Sequence, residues 1–274
     1  MQQPNGILSL NPDEPCLVSL RGWFEQYVAT FHSEDPEIQY NFDLKRDHTR
    51  RVCMEILDIG NHVGLGSRAL FLAEILAWFH DIGRFEQYAR YGTFFDLKSE
   101  DHAALGVHIL KEHHVLRALD EQTQDLILRC ISYHNRASLP AEESETCLFF
   151  SRLLRDADKL DIWRVLTRYY HEKGNNRNQT IELDLEDAPE VSQEVYEDLL
   201  AGRIVRSDAL WTLTDFKFLQ MGWVYDLNFP RTFELVRERG YLELILSSLS
   251  QTEKVLRAYG AVKTYLESQG STDH

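Results

Sequence analysis

Apolar residues recur at helical spacing along most of the chain, and no stretch alternates apolar and polar residues in a way that requires a β-sheet. Glycines, prolines and short polar stretches separate the apolar segments and mark helix ends. Residues 181–185 are the only candidate for a short extended piece. The pattern predicts an all-α protein whose helices cover about residues 16–31, 44–59, 68–80, 101–114, 123–134, 147–173, 192–201, 207–225, 230–239 and 240–266.

The predicted helix at residues 68–80 is apolar nearly all round, which is typical of a buried central helix. It ends in the dipeptide His80-Asp81, so two adjacent polar side chains point into buried surroundings. A buried carboxylate is costly unless a partner neutralises it, and a divalent metal ion is an effective partner. Gly83 then allows the backbone to turn sharply beside these two residues.

A second polar cluster interrupts the leucine-rich helix predicted at residues 147–173. The segment RDADKLD, at residues 155–161, places Asp158 near the face of this helix that points inward. Imidazoles and carboxylates without thiolates form a ligand set that suits iron, manganese, zinc, cobalt or nickel. Such a site leaves coordination positions for water, whose pKa the metal lowers toward neutrality. The histidines and aspartates therefore predict a catalytic metal site.

The order His48, His80-Asp81, Asp158 resembles the H…HD…D signature of the HD superfamily of metal-dependent phosphohydrolases. The segment HDIGR, which begins at His80, and the segment RDADKLD, which contains Asp158, are similar in local context to the second and last motifs of that superfamily. The resemblance covers about residues 44–165. Four candidate ligands in this order, with matching flanking residues, are a far more specific sign of the superfamily than the His-Asp dipeptide alone.

The resemblance implies the fold and its organisation. We expect an all-α protein with an HD-domain helical bundle and additional C-terminal helices. A single domain would span residues 1–274, with the motif core at about residues 44–173 and a C-terminal helical extension at about residues 181–270.

The resemblance also implies which side chains hold metal ions. The residues expected to bind the first ion are His48, His80, Asp81 and Asp158. In a subset of the superfamily two further histidines bind a second ion that shares the HD aspartate, and His102 and His134 fit that pattern. Without a metal, His102 would be a capping or surface residue, and His134 would interact with a helix dipole. The expected cofactors are two divalent transition metals (iron, manganese, nickel, cobalt or zinc), with magnesium also open.

The expected catalytic residues are Asp81, Arg84 and Lys159. Arg84 lies at the turn that carries the HD pair, where the resemblance implies a phosphate-binding group and a surface salt bridge is the alternative. Lys159 would contact the substrate or pair with Asp156 or Asp161. These two aspartates are also candidates to accept hydrogen bonds from the ligand imidazoles.

The resemblance favours metal-assisted hydrolysis of a phosphoester, on a small phosphorylated compound or a nucleotide. An HD-type di-iron oxygenase that acts on an inositol-like or phosphonate-like substrate has a similar ligand set, and a non-catalytic ligand-binding module is a third alternative. The ligands do not separate these functions. The Gly-Tyr-Pro motif of cyclic-dinucleotide phosphodiesterases is absent from the sequence. The aromatic loop at residues 88–95 would either cover the site as a lid or anchor itself in the core.

The composition of the chain limits the classes of partner that we expect it to bind. The net charge of −15 argues against large nucleic acids, because such a surface repels phosphate backbones, but a bound cation would still admit a small phosphorylated substrate. Four cysteines without a C-x-x-C pair predict reduced thiols in the core. No signal peptide or membrane-spanning stretch is recognisable, so we expect a cytoplasmic protein without a membrane partner. The amphipathic helix at residues 240–266 would pack in the core or form a homodimer surface.

Overall fold

The structure, a computed structural model, describes residues 14–172, 174 and 177–269. Within these ranges the only β-type pairing is an isolated bridge between Glu186 and Thr212, and the regular structure is otherwise helical. The predicted all-α fold is therefore confirmed. No helix in this part of the chain is long and apolar enough to span a membrane.

Two compact units make up the chain, the first ending at Asp158 and the second beginning at Lys159. The division falls inside one continuous helix, whereas the sequence placed the end of the motif core near residue 173. The expectation that residues 1–274 form a single domain stays a prediction.

The first unit is built from helices α1 to α6 and the first part of α7. Aspartates begin three of these helices: Asp35, Asp101 and Asp120 accept hydrogen bonds from the otherwise unpaired backbone N–H groups of α2, α5 and α6. The helix bounds are α1 (Glu14–Ala29), α2 (Pro36–His62), α3 (Ser67–Phe79), α4 (Gly83–Tyr91), α5 (His102–Glu112), α6 (Glu121–Tyr133) and α7 (Glu145–Glu172).

The central helix of the first unit is α3. Its side chains Leu72, Ile75 and Leu76 are fully buried, and α1, α2 and α6 pack against it. Burying each such side chain stabilises the fold by roughly 1.5–3 kcal/mol relative to leaving it exposed. The one carboxylate of α3, Glu74, forms an ion pair with Arg21 of α1. The prediction of a buried central helix is confirmed. The HD pair, His80-Asp81, directly follows the end of this helix and is buried.

Helix α4 is the main departure from the predicted elements of this unit. The sequence predicted only a turn near Gly83 and a loop at residues 88–95, whereas α4 occupies much of this stretch. Phe85 and Tyr88 lie three residues apart and are both buried, but a nine-residue helix is too short for its periodicity to stand out. Gly92 ends α4 with φ 66°, a left-handed conformation that glycine adopts without strain.

The described residues of the second unit contain the end of α7 and five further α-helices, α8 (Gln193–Leu200), α9 (Leu213–Gly222), α10 (Pro230–Glu238), α11 (Tyr241–Ser247) and α12 (Glu253–Ser268). The long helices predicted at residues 207–225 and 240–266 are wrong, because each is interrupted. Thr212 and Thr252 explain the interruptions, since their side chains cap the starts of α9 and α12. Residues 181–184 form turns, so the extended piece considered there is also wrong.

The four cysteines are free thiols. Cys53, Cys130 and Cys147 are buried and Cys16 is half-buried. The prediction that they serve mainly as small core residues is confirmed.

Candidate metal centre

Five segments of the first unit bring the six predicted ligands together. These residues are His48 within α2, His80 and Asp81 directly after α3, His102 at the start of α5, His134 directly after α6, and Asp158 within α7. All are buried except Asp158, whose side chain keeps 14% exposure. Residues that are distant in sequence therefore converge on one interior place, as the motif order predicted.

The first ligand cluster consists of His48, His80 and Asp158. The Nε2 atom of His48 lies 3.1 Å from Asp158 Oδ1 and 3.3 Å from His80 Nε2, and His80 Nε2 lies 3.5 Å from Asp158 Oδ1. One ligand atom from each residue falls within 4.8 Å of the others. This spacing fits three ligands of one metal ion.

The second ligand cluster consists of Asp81, His102 and His134. Asp81 Oδ1 lies 3.3 Å from His102 Nε2 and 3.6 Å from His134 Nε2, and the two imidazole nitrogens are 3.0 Å apart. The structure thus places His102 and His134 together, as the two-metal pattern requires. Their alternative roles, as a cap and a dipole partner, would not need both Nε2 atoms to face one carboxylate oxygen.

Asp81 connects the two clusters. Its Oδ1 atom faces the second cluster, whereas its Oδ2 atom lies 3.5 Å from His48 Nε2 and 3.8 Å from His80 Nε2 in the first. A carboxylate that offers one oxygen to each of two clusters has the geometry of a bridging ligand. Its position agrees with the sharing that the resemblance implied for this residue.

Hydrogen bonds at Nδ1 orient three of the imidazoles. His80 Nδ1 lies 2.8 Å from the Ala77 carbonyl oxygen and His134 Nδ1 2.7 Å from the Ile131 carbonyl oxygen, while His102 Nδ1 lies 2.7 Å from Asp96 Oδ2. These oxygens can only accept, so Nδ1 carries the proton and Nε2 presents a lone pair inward.

The sequence analysis proposed Asp156 or Asp161 as acceptors for imidazole N–H groups. For His80, His102 and His134 that assignment is wrong, because other oxygens accept from their Nδ1 atoms. Both aspartates are fully buried.

Electrostatics favour the protonation states that bind metal. Burial would raise the pKa of Asp81, but the Lys45 ammonium, 2.8 Å away, and the surrounding histidines hold it well below its usual range. Burial would also raise the pKa of Asp158, but the neighbouring His48 and His80 imidazoles hold it well below normal. Burial lowers the pKa of His134, which favours the neutral imidazole. Carboxylates and neutral imidazoles are the forms that coordinate a metal.

The residues present fit a pair of divalent transition metals. Four imidazoles and two carboxylates converge without any thiolate, which is the donor chemistry of such ions. Asp158 Oδ1 is buried and accepts no hydrogen bond of good geometry among the described residues. A buried carboxylate oxygen without such a bond is costly, and a metal ion would satisfy it.

Gly83 allows Asp81 and His102, two members of the second cluster, to lie beside each other. A Cβ atom at this position would lie 2.2 Å from the His102 carbonyl oxygen and 2.7 Å from the Gly106 backbone nitrogen. Only glycine therefore lets the start of α4 lie against the start of α5. The contact brings Asp81, two residues before Gly83, beside His102. Gly83 therefore permits close packing of α4 against α5 as well as the predicted sharp turn.

Arg84 lies at the metal centre. Its Nη1 atom donates to Asp96 Oδ1 and Gln87 Oε1, each at 2.8 Å, and to the carbonyl oxygen of Phe94. Its Nε atom lies 3.6 Å from Asp81 Oδ1 and is buried without a hydrogen-bond partner among the described residues. Arg84 is thus an anchored guanidinium beside the bridging carboxylate and not a surface salt bridge.

Lys159 lies in the second unit. Its Nζ atom forms an ion pair at 2.7 Å with Asp226 Oδ2, a partner in the same unit that the sequence analysis did not identify. The proposed contact between Lys159 and the substrate stays a prediction.

The aromatic segment at residues 88–95 is anchored in the core. Tyr88 and Phe94 are buried against each other with ring centroids 4.9 Å apart, and the Tyr88 hydroxyl accepts a hydrogen bond from Asn41. These contacts support the anchoring alternative. Phe94 also lies beneath the Lys45 ammonium, 5.1 Å from its ring centroid.

Two further residues of the site, Lys45 and Asp96, were not predicted from the sequence. Lys45 precedes His48 by three residues on α2, so helical spacing could have placed both on one face. Asp96 lies in a short 3-10 helix, Asp96–Lys98, in the connection before α5. No periodic signal marks a residue in such a connection, because its position depends on how the neighbouring helices pack.

Comparison with known family models gives a match to part of the chain. Residues 46–163 match the family model described as the HD domain, and this span contains all six candidate ligands. A search of the curated proteins found no match to the chain, and neither did a search of the solved structures.

Proposed function

Residues 46–163 match the HD-domain family model, and on that premise we propose that the chain is a metal-dependent phosphohydrolase that acts on a small phosphorylated compound or a nucleotide. The domain suggests metal-dependent hydrolysis in general terms. The observation that carries the finer proposal is the pair of ligand clusters joined by Asp81, with the buried Nε atom of Arg84 directed at the same carboxylate.

The two clusters would hold two divalent metal ions, with Asp81 as the shared ligand. When bound, such ions supply Lewis acidity toward phosphate oxygens and lower the pKa of a water molecule toward neutrality. The chain's own contribution is to hold the ligands deprotonated and oriented before a substrate arrives. The three Nδ1–H groups with acceptors fix this orientation.

Two cations flank the bridging carboxylate. Lys45 Nζ lies 2.8 Å from Asp81 Oδ2, and Arg84 Nε lies 3.6 Å from Asp81 Oδ1. We assign both to the phosphate group of the substrate, where they would neutralise the charge that develops during attack. Because Arg84 is already anchored through Nη1, donation from its Nε atom requires little reorganisation. These cations would attract an anion locally although the chain carries a net charge of −15.

The test is a hydrolysis assay on untagged protein loaded separately with Mn²⁺, Co²⁺, Ni²⁺, Zn²⁺ or Fe²⁺. Phosphomonoesters, nucleotides and phosphodiesters would serve as substrates. We expect metal-dependent release of phosphate or alcohol that a chelator abolishes. Arg84→Ala and Lys45→Ala should each lower kcat/KM by about 10²–10³-fold while both metal ions are retained. Arg90→Ala is the matched control, because this arginine lies six residues after Arg84 but is half-exposed and pairs with Glu86.

Other outcomes would replace the proposal. Substrate-dependent oxygen uptake by the iron-loaded protein, without phosphate release, would establish an oxygenase. Binding of a phosphorylated compound without any turnover, in protein that holds both ions, would establish a ligand-binding module.

A further inference from the structure

Asp96 joins three parts of the metal centre through one carboxylate. Its Oδ2 atom accepts a hydrogen bond from His102 Nδ1 at 2.7 Å, and its Oδ1 atom accepts one from Arg84 Nη1 at 2.8 Å. Gln87 Nε2 donates to Oδ1 at 2.8 Å, and Asn135 Nδ2 donates to Oδ2 at 3.2 Å. The partners therefore come from α4, from the start of α5 and from the residue that follows His134.

The connection that carries Asp96 is fixed by neighbouring contacts. Gln87 Nε2 also donates to the Ser99 hydroxyl at 2.8 Å and to the Glu100 carbonyl oxygen at 2.9 Å. Ser99 Oγ in turn donates to the Phe95 carbonyl oxygen. The carboxylate of Asp96 is thus held in place independently of its contact with His102.

The geometry points to Asp96 as a positioning residue for the second metal site. This inference rests on the proposed function and deepens it: Asp96 keeps the His102 imidazole in the tautomer that presents Nε2 to the second cluster, and it keeps Arg84 Nε beside the same cluster. No partner of Asp96 belongs to the first cluster, of His48, His80 and Asp158. The effect of Asp96 should therefore be selective for one of two neighbouring metal ions.

The charge of Asp96 supports this role. A carboxylate that accepts from the distal imidazole nitrogen increases the basicity of the coordinating one. An amide at position 96 would keep the size of the side chain but would remove the charge and make the tautomer of His102 ambiguous.

The experiment is a titration of metal-free protein with Mn²⁺ by calorimetry, and with Co²⁺ by absorption spectroscopy, without substrate. The proposal expects Asp96→Asn to weaken the second binding step by about 10- to 100-fold and to leave the first within about twofold. His102→Ala should lose the second step entirely. Asp120→Asn is the matched control, because Asp120 caps α6 through the Thr123 backbone and hydroxyl, and asparagine caps a helix equally well. Both of its binding steps should match those of the unmodified protein.

Two results would overturn the proposal. One is unchanged binding at both steps in Asp96→Asn, and the other is equal weakening of both, which would show a general structural role. If Asp96→Asn fails to fold, Asp96→Glu replaces it. Its longer stem must alter the contact with His102, so an unchanged Co²⁺ spectrum at the second site would contradict the proposal. All readouts are made without substrate, so they stand whether or not the protein hydrolyses phosphoesters.

Discussion

His102 and His134 are the residues that distinguish a two-metal centre from a one-metal centre. Their Nε2 atoms lie 3.0 Å apart and face the same oxygen of Asp81. We expect elemental analysis to find two metal ions per chain in the unmodified protein and about one in His102→Ala or His134→Ala. His108→Ala serves as a control, because this imidazole lies on α5 six residues after His102 but is 70% exposed.

A content of one metal ion in all of these proteins would show that His102 and His134 do not bind metal. The first cluster alone would then form a mononuclear site. The bridging role assigned to Asp81 would also fail, because its Oδ1 atom would have no second ion to hold.

The buried carboxylates predict a pH dependence of folding stability. Burial opposes ionisation of Asp81 and Asp158, yet their cationic and histidine partners hold both pKa values well below the unfolded value of about 3.9. Groups with lowered pKa stabilise the folded state above the unfolded pKa, and this contribution is lost as the pH falls through the folded pKa. We therefore expect the free energy of unfolding of metal-free protein to decrease below about pH 4.

Urea unfolding of the metal-free protein between pH 3 and pH 7 measures this dependence. Asp158→Asn should reduce the slope at acidic pH, since the substituted residue no longer takes up a proton on unfolding. Equal slopes in the two proteins would contradict the assignment of acid sensitivity to the metal centre.

At the scale of elements, the contact between α4 and α5 determines whether the second cluster can form. Gly83→Ala would place a methyl group 2.2 Å from the His102 carbonyl oxygen, so the helices must separate. We expect loss of the second metal ion and a lower melting temperature. Gly22→Ala is the control, because Gly22 lies inside α1 with nothing within 4 Å of the added Cβ. It should raise stability by about 0.5–1 kcal/mol.

If Gly83→Ala bound two metal ions at wild-type affinity, the helices would have to tolerate the methyl group without separating. The close approach would then not be a requirement of the site. A lower melting temperature with intact metal binding would limit the role of Gly83 to packing.

The elements that could be predicted are those whose sequence carries its own signal. The central helix α3 was predicted because its apolar surface is nearly complete. The convergence of the six histidine and aspartate side chains was predicted because their order and flanks match a known pattern. Helix α4 was missed because nine residues show too little periodicity. The breaks before α9 and α12 depend on single threonine caps that a continuous apolar pattern conceals. Asp96 was missed because its contacts are set by tertiary packing.

At the scale of the whole molecule, the sequence predicted the fold class but not the division into units. The division falls between Asp158 and Lys159, inside the uninterrupted helix α7, where no glycine or proline marks it. The consequence is that the last ligand of the metal centre is also the last residue of the first unit. All six candidate ligands therefore belong to the first unit. Metal binding should accordingly change the stability of that unit more than that of the second.

Metal binding should stabilise the first unit selectively. The ligands come from α2, α5 and α7 and from the residues that follow α3 and α6, so two metal ions would connect five segments of that unit. A metal ion that binds only the folded state, at a free concentration 100 times its Kd, stabilises that state by about 2.7 kcal/mol.

We expect saturating Mn²⁺ to slow amide hydrogen exchange in α2, α3, α5 and α6, and to change exchange in α8 to α12 much less. Asp81→Asn protein should show no such response at the same Mn²⁺ concentration, because the ligand shared by both clusters is altered. Slowing of equal size in both units would mean that the chain folds as one cooperative domain, as predicted from the sequence. Hydrogen exchange that Mn²⁺ leaves unchanged in every helix would contradict the assignment of a metal centre.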